Sequence, residues 1–441
     1  MFRARRGVRE GLLALDLGTH ATRALALARD GDALRVVGRC VRAGAVGRDG
    51  IPMQVDVARA RLGEVLDAAA LDGGVLGRRV VVAIGGTHVR VARARGSLNL
   101  RTAVALRPPH LERALDAAAA IALPRDQEIL HVLPTGYRVD GARTVRPPLD
   151  VRARRLVAEV AVVTASRLAL DNLARILSDL GYELVDAAAE PLLTARAVLT
   201  PEDRRRGAVV VDIGAERIGA AVYRDQVLQG LVSIGAGAAH ISRDLAWALR
   251  CDAAQAEELK LGLGVARTAA ADPTHVTDLR LGGRRARVGQ RLVAKVIEPR
   301  MRELLTLTRS ALDCAGTLAS SDRVVLVGGG AALRGVADLA EHVFDAPART
   351  APLRQAEDAT SFTGLGLVTY ASRARFDRDG RGRLWSGAMQ RLRRVRRVLS
   401  APVASRTHGN AEGPTAVRSV HVSPRVGVDL EVSDVRVRTR V

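Results

Sequence analysis

Short apolar runs that end in an acidic residue and a glycine occur twice in the chain. GLLALDL (11–17) is followed by Gly18, and AVVVDI (208–213) is followed by Gly214, so that Asp16 and Asp212 take the same place in the two runs. Further short apolar stretches follow each run and predict strands, while Val57–Ala70 has helical periodicity. The repeated pattern predicts an α/β fold made of two similar lobes that face each other.

The composition and the pattern of predicted elements change at four places along the chain. Residues 10–86 and 165–200 are expected to form the first lobe, and 87–164 a small α+β insertion with short strands and one helix at 110–122. The charged linker at 200–207 precedes a second lobe at 207–370, and 371–441 form a basic tail.

The tail is predicted to contain an amphipathic helix at 383–400. Its apolar and basic positions, at helical spacing, include Leu384, Trp385, Met389, Leu392, Arg393, Arg394, Arg396 and Arg397. Such a helix would lie on an anionic membrane surface, although packing on the body of the protein or binding to RNA would also use this pattern. Residues 428–441 alternate apolar and polar and could add an edge strand or remain a solvated tail.

The composition excludes several other classes of protein. A hydrophobic fraction of 48% and a charged fraction of 26% are ordinary for a globular protein. No run is apolar enough for a transmembrane helix, the N-terminus is not read as a secretory signal, and three distant cysteines make a disulfide framework or zinc site unexpected. A reducing cytoplasm fits this cysteine usage.

The net charge of +21 suggests an anionic partner. However, just two of the 68 basic residues are lysines, which points to a compositional habit, and aromatic residues make up only 2%. Nucleic acid is therefore not the expected partner. Residues 371–441 contain 16 arginines against six acidic residues, which concentrates the positive charge in the tail.

The glycine turns suggest phosphate chemistry. Glycine lets backbone N–H groups approach phosphate oxygens, and each aspartate could hold Mg²⁺ through water. Three glycines at 328–330 offer bare backbone to a flat nucleoside. Each motif alone is more often a structural turn, and the chain has neither a GxGxxG fingerprint after its first strand nor a P-loop.

The order of these motifs resembles the actin-like ATPase superfamily and, within it, the bacterial cell-division family FtsA. The resemblance covers about residues 10–372. The segments that carry it are LDLGTHATR (15–23), DQEILHVLP (126–134), YRVDG (137–141), AEPLLTARAVL (189–199), VVVDIG (209–214), AEELKLGLG (256–264), VIEPRMREL (296–304), VVLVGGGAALRGVADLAEHVFDAPAR (324–349) and SFTGLGLVTY (361–370).

The resemblance implies a site for Mg²⁺ and ATP between the lobes. The residues that match its phosphate loops, its ribose and base pair, and its adenosine loop are Asp16, Gly18, Thr19, Asp212, Gly214, Glu257, Lys260, Gly328, Gly329 and Gly330, with Asp16 and Asp212 toward the metal. Glu190 matches the position near which relatives orient the attacking water. It could equally be a carboxylate that the helix dipole favours at a helix N-terminus.

The second phosphate loop departs from the family pattern DIGGGTTDIA. It reads DIGAERIGAA (212–221), so that glycines become Ala215 and Glu216, hydroxyl residues become Arg217 and Ile218, and an aspartate becomes Gly219. Glu216 would repel phosphate, and Arg217 could partly compensate. We therefore expect weakened nucleotide binding and slow or absent hydrolysis, so that the sequence leaves open whether the protein is an enzyme.

The resemblance also implies a role. An FtsA-like protein would form filaments with itself, contact other membrane proteins of the division machinery, and tether the C-terminal peptide of FtsZ to the cytoplasmic face of the plasma membrane at the septum. Arg300 is the candidate anchor for that peptide, or else a surface ion pair. An actin-like protein of type IV pilus assembly and an actively cycling ATPase of the same fold are the alternatives.

Overall fold

The computed structural model describes residues 10–31, 33–47, 49–52, 54–121, 123–281, 284–320, 322–351, 361–373 and 430–431. The predicted membrane helix at 383–400, with Leu384, Trp385, Met389, Leu392 and its arginines, lies outside the described residues. Within the described part of the chain, no helix is long and apolar enough to cross a membrane.

The first lobe is built on a five-stranded sheet in the order β3-β2-β1-β4-β9. Its strands are β1 (Gly11–Leu17), β2 (Ala21–Asp30), β3 (Ala33–Ala43), β4 (Arg79–Ile84) and β9 (Glu183–Ala189). Helices α1 (Val55–Gly73) and α3 (Arg167–Asp179) contribute Leu62, Val65 and Leu173, among other side chains, to one core with β1 and β4. Because β1 is central and its residues 12–17 are buried, Asp16 is held at a rigid strand end.

The second lobe repeats this plan in the order β12-β11-β10-β15-β16. Its strands are β10 (Ala208–Ile213), β11 (Ile218–Arg224), β12 (Val227–Ile234), β15 (Arg323–Val327) and β16 (Ala348–Thr350). Its helices are α6 (Ala239–Leu249), α7 (Ala253–Leu263), α8 (Gln290–Cys314) and α9 (Val336–Phe344), with a hairpin of β13 (Val276–Leu281) and β14 (Arg284–Gly289) before α8. In both lobes the central strand pairs antiparallel with the next strand and parallel with a later one.

A separate sheet lies between β4 and α3 in the chain. It consists of β5 (Arg90–Ala105), β6 (Gln127–Val139), β7 (Ala142–Thr144) and β8 (Arg152–Ser166), and helix α2 (Pro108–Ala119) packs on it. A two-residue strand, β17 (Leu430–Glu431), pairs antiparallel with β5. The strands are longer than the apolar runs 88–94, 129–133 and 157–163 predict, because their outer halves alternate arginine with apolar residues.

Helices α4 (Glu190–Val198) and α10 (Phe362–Arg373) pack together where the lobes meet, and the short α5 (Pro201–Arg206) leads into the second lobe. The buried hydroxyls of Thr194 in α4 and Thr363 in α10 lie 3.1 Å apart and share a hydrogen bond. Pro191 lies in the first turn of α4, where its missing N–H is not needed. These two helices bring hydroxyl groups beneath both aspartate turns.

Candidate nucleotide cleft between the lobes

Asp16 and Asp212 lie at one shared site. Each lies near the end of the central strand of its own sheet, and each accepts a hydrogen bond from a hydroxyl, from Ser361 directly before α10 or from Thr194 within α4. Ser361 Oγ donates to Asp16 Oδ2 at 2.8 Å, and Thr194 Oγ1 donates to Asp212 Oδ2 at 3.2 Å. The sequence prediction that the two turns face each other across a cleft agrees with this geometry.

Glu190, the first residue of α4, is the third carboxylate of the cleft. Burial raises its pKa, and the positive charge of Arg217 opposes that change. Burial, followed by the negative charges of Glu190 and Asp16, raises the pKa of Asp212 to about 7. Burial and the neighbouring negative charges therefore disfavour the ionised forms of Glu190 and Asp212.

The two phosphate loops contact each other directly. The backbone N–H of Glu216 donates to Thr19 Oγ1 at 3.2 Å. Arg217 reaches further and donates from Nη2 to the carbonyl of Leu17 at 3.0 Å and to Glu190 Oε2 at 2.6 Å. The carboxylate of Glu216 turns away to Arg243, at 2.6 Å, and so is paired with a cation of its own lobe.

The glycine turn follows β15. Gly328 has a φ of +87°, and a Cβ there would overlap Asp212 Oδ1 and lie 2.6 Å from the carbonyl oxygen of Ile213. Glycine is thus required for this turn to pack beneath the second aspartate. A cavity of about 370 Å³ opens beside it, lined by Gly328, Ala331–Asp338, Thr350, Ala351 and Phe362. None of Asp16, Asp212, Glu257 or Lys260 is part of its lining.

Glu257 and Lys260 lie one turn apart on α7 and bind each other. Lys260 Nζ donates to Glu257 Oε2 at 2.7 Å and to Ser242 Oγ at 3.0 Å. Burial raises the pKa of Glu257, but hydrogen bonds from Lys260 and Ser242 outweigh this effect and hold the pKa below its ordinary value. A ribose or base would have to share these groups with their present partners.

The arrangement fits a nucleotide with a hydrated divalent cation, on the first-lobe side more than on the second. Asp16, Glu190 and Asp212 supply the carboxylates, and Gly18, Gly214 and Gly328 lie beside the two aspartates. The N–H of Gly214 already donates to the carbonyl of Arg217 at 3.0 Å. Among the described residues, no group of three or more His, Cys, Asp or Glu side chains is placed to hold a metal ion. Arg217 already brings one positive charge to this cluster.

Arg300 forms ion pairs within its own lobe. Its guanidinium donates from Nε to Asp244 Oδ2 at 2.6 Å and from Nη2 to Asp244 Oδ1 at 3.1 Å, and it also contacts Glu303. A partner carboxylate would have to compete with these two acids. Trp247, one helical turn after Asp244 on α6, is 84% exposed.

Sequence reasoning missed the supporting residues of the site. Ser361 has polar neighbours in the sequence and Thr194 has apolar ones. Neither sequence pattern predicts a hydrogen bond to an aspartate of the site. Gly85, directly after β4, packs against the Glu190–Arg217 pair, where a Cβ would overlap Glu190 Oε2. The glycine doublet Gly85-Gly86 is recognisable in the sequence as a turn. The sequence does not show that Gly85 packs against Glu190 and Arg217.

Comparisons with known proteins place this geometry in a family context. Two family models match, described as "Cell division protein FtsA" over residues 209–366 and "SHS2 domain inserted in FTSA" over residues 86–164. The cell division protein FtsA of Pseudomonas aeruginosa is 30% identical over 380 residues, covering 83% of this chain and 90% of that protein. The FtsA of Bacillus subtilis is 26% identical over 370 residues, covering 82% and 83%.

A solved structure of a PilM-PilN type IV pilus biogenesis complex is similar in fold. It aligns with a TM-score of 0.57 and 19% identity over 82% of this chain and 99% of that one. At this identity the likeness concerns the fold alone. The α+β insertion is accordingly an SHS2 domain within an actin-like pair of lobes.

Proposed function

The chain belongs to the FtsA family of actin-like cell-division proteins, and on that premise we propose that it binds Mg²⁺–ATP between its lobes, assembles with copies of itself, and links FtsZ to the cytoplasmic membrane at the division septum. The observation that supports the nucleotide site most is the meeting of Asp16 and Asp212 in one cleft, each bonded to a hydroxyl of the connecting helices.

The residues toward the nucleotide divide by lobe. Asp16, Gly18 and Thr19 hold the phosphates from the first lobe, and Asp212 with Gly214 from the second. Gly328, Gly329 and Gly330 face the nucleoside, and Glu257 and Lys260 reach its ribose and base. The metal ion supplies charge neutralisation for the phosphates and for the carboxylates of Asp16 and Asp212.

In this proposal ATP is hydrolysed slowly, and the bound nucleotide has a structural role. Glu190 is the residue available to orient a water molecule, but its Oε2 accepts a hydrogen bond from Arg217 at 2.6 Å. Burial raises the pKa of this carboxyl, but the positive charge of Arg217 lowers it and so weakens the carboxylate as a base toward a water molecule. Ala215 and Glu216 also remove two of the glycines that would let the second loop approach phosphate closely.

A calorimetric titration with Mg²⁺–ATP tests the site. We expect binding to the parent chain and to Arg35→Ala, whose exposed ion pair with Asp30 lies at the opposite end of the first sheet from Asp16, and loss of at least about tenfold in affinity for Asp16→Ala. Equal affinity for Asp16→Ala and the parent would contradict the assignment. A phosphate-release assay that found rapid turnover would overturn the structural role of the nucleotide.

Membrane attachment is assigned to the helix at 383–400, which lies outside the described residues. Its apolar positions Leu384, Trp385, Met389 and Leu392 would insert among lipids, and Arg393, Arg394, Arg396 and Arg397 would bind anionic headgroups. One such helix binds weakly, and a filament presents many at once, so attachment would depend on assembly through avidity.

Flotation with vesicles tests this part. We expect the full chain to float with vesicles that contain anionic lipid and a chain ending at Arg381 to remain at the bottom. Equal behaviour of the two chains would contradict the membrane role of the helix. A salt-dependent gel shift by the full chain, without flotation, would favour nucleic acid as the partner.

The FtsZ C-terminal peptide is proposed to dock beside α6 and α8. Arg300 would anchor a peptide carboxylate by exchanging Asp244 or Glu303 for it, and the exposed Trp247 offers an apolar contact one turn away. Fluorescence anisotropy of a labelled peptide measures the affinity. Arg300→Ala and Trp247→Ala should each weaken binding, and Arg334→Ala, elsewhere on the second lobe, should not.

A further inference from the structure

Arg217 crosses from the second lobe into the first. It belongs to the turn between β10 and β11, yet the partners that its guanidinium binds, Leu17 and Glu190, belong to the first lobe and its connecting helix. The residue is 6% exposed. Its side chain enters a socket whose other lining residues are Leu17, Thr19, Ala45, Val46, Gly47, Gly50 and Pro52.

The first lobe is shaped around this side chain. Gly85, at the end of β4, would carry a Cβ 2.8 Å from Arg217 Nη2 and in overlap with Glu190 Oε2. The remaining cavity in the socket is about 10 Å³, about the size of one water molecule. Among the residues that the structure describes, Nη1 of Arg217 is buried without a protein partner, and a single water in this cavity is a fitting acceptor for it.

The charge of Arg217 is matched to its surroundings. Glu190 is bonded to it directly, and Asp16 and Asp49 lie near enough to interact electrostatically. Since an arginine side chain stays protonated in proteins, this positive charge is permanent. Withdrawing it would leave Glu190 buried beside Asp16 and Asp212 without its cation, which is the costly way to break a buried ion pair.

We propose that Arg217 is a built-in tether between the lobes, which holds the phosphate end of the cleft closed by its bonds to Glu190 and to the carbonyl of Leu17 without any need for a nucleotide. The tether goes beyond the proposed function, since it fixes the arrangement of the lobes whether or not the cleft binds ATP. Lobe closure is then a property of the folded chain and is not switched by ligand.

The neighbouring residue gives a matched comparison. Glu216 also forms an ion pair, with Arg243, but both of its members belong to the second lobe and are exposed. Removing that pair changes the charge beside the same loop without breaking a link between lobes. Arg243→Ala is therefore the control for Arg217→Ala.

Distances between two spin labels, measured by double electron–electron resonance on the nucleotide-free chain, test the tether. One label is placed on the exposed Cys314 of the second lobe and the other on Leu71→Cys, an 85% exposed position of α1 in the first lobe, with Cys251→Ser to prevent a third label. We expect one narrow distance distribution for this parent and for Arg243→Ala. For Arg217→Ala we expect a distribution about twofold broader or shifted to longer distance.

A second variant covers the case in which Arg217→Ala does not fold. The pair Arg217→Met and Glu190→Gln keeps the volume and removes both charges of the ion pair together, but a methionine side chain cannot bond the Leu17 carbonyl, so the distribution should again broaden. Narrow distributions for these variants, or a broad one for the parent, would overturn the tether. Because no nucleotide is added, the result is independent of whether ATP binds.

Discussion

The two lobes share one topology and differ in what their aspartate turns do. In each sheet the central strand pairs with the following strand so that Asp16 faces Arg23 and Asp212 faces Gly219. The registers align the turn Gly18–Ala21 with Gly214–Arg217. Both turns have four residues. The second has Arg217, which reaches the carbonyl of Leu17 in the first lobe, at the position at which the first has Ala21.

The two turns therefore differ in their contacts, although the two lobes have the same topology. The first turn retains the glycine and hydroxyl that suit phosphate contacts. The second turn keeps Gly214 but has Ala215 where the first has Thr19, and it contacts the first lobe through Arg217 to Glu190 and through the Glu216 backbone to Thr19. The strands of the two lobes are therefore equivalent, and the residues of the two loops make the lobes differ in their contacts.

The support beneath the second aspartate can be broken most severely at Gly328. Gly328→Ala combines a left-handed φ of +87° with a Cβ only 2.6 Å from the Ile213 carbonyl oxygen. We expect a loss of about 3 kcal/mol or more in the free energy of unfolding, measured by urea denaturation. Gly329→Ala, where nothing lies within 4 Å of the added Cβ, is the control.

The corresponding change in the first lobe should cost less. Gly85→Ala meets the ends of two side chains, Glu190 and Arg217, which can move, whereas Gly328→Ala meets backbone. If the two alanine variants were equally stable, or if Gly329→Ala were as damaging as Gly328→Ala, the account of the second turn would be wrong.

A pH-dependent difference is expected at the junction of the first lobe with its insertion. The Nε2 of His131 in β6 accepts a hydrogen bond from the Ala189 N–H, and burial, followed by the charge of Arg196, lowers the pKa of His131 to about 4. The folded state therefore binds this proton less readily than the unfolded state. The contribution is fully present above the unfolded pKa of about 6.5 and is lost as the pH falls toward 4.

At pH 5 this histidine should reduce the free energy of unfolding by about 2 kcal/mol relative to pH 8. Urea midpoints at the two pH values measure the change. His131→Gln, which has no titrating ring, should show a smaller difference between pH 5 and pH 8 than the parent. An unchanged difference would mean that other groups cause the pH dependence.

The smallest expected effects compare the two hydroxyl supports. Thr194→Val removes a fully buried donor to Asp212, and Ser361→Ala removes a donor to Asp16 that also accepts from the Gly364 N–H. Each should cost about 1 kcal/mol in thermal or urea unfolding, since a lost hydrogen bond to a buried group has about that value. Thr369→Val loses a hydrogen bond to a carbonyl of its own helix, and its loss in the free energy of unfolding should be smaller than that of either variant.

Much of the fold could be read from local patterns. The helix predicted at 110–122 is found at Pro108–Ala119, and the helical periodicity of Val57–Ala70 falls within the helix Val55–Gly73. Both have apolar positions at helical spacing, which is a property of the sequence alone. The inserted strands were underestimated because arginines interrupt their apolar runs, and three of those arginines, Arg95, Arg138 and Arg143, converge on Glu159 only in the folded sheet.

The sequence by itself determined the duplicated strand–Asp–Gly pattern, the family resemblance and the departure of the second loop from it. Only the tertiary structure decided what that departure does, because Arg217 binds groups 27 and 200 residues away in the chain. Periodicity and turn residues report interactions between neighbours in sequence, and they carry no information about which distant carboxylate a side chain will meet. The pairing of Arg300 in α8 with Asp244 in α6 was decided in the same way, by packing between helices. The pairing of Glu257 with Lys260 differs, because the two residues lie three positions apart on α7 and meet through spacing along one helix.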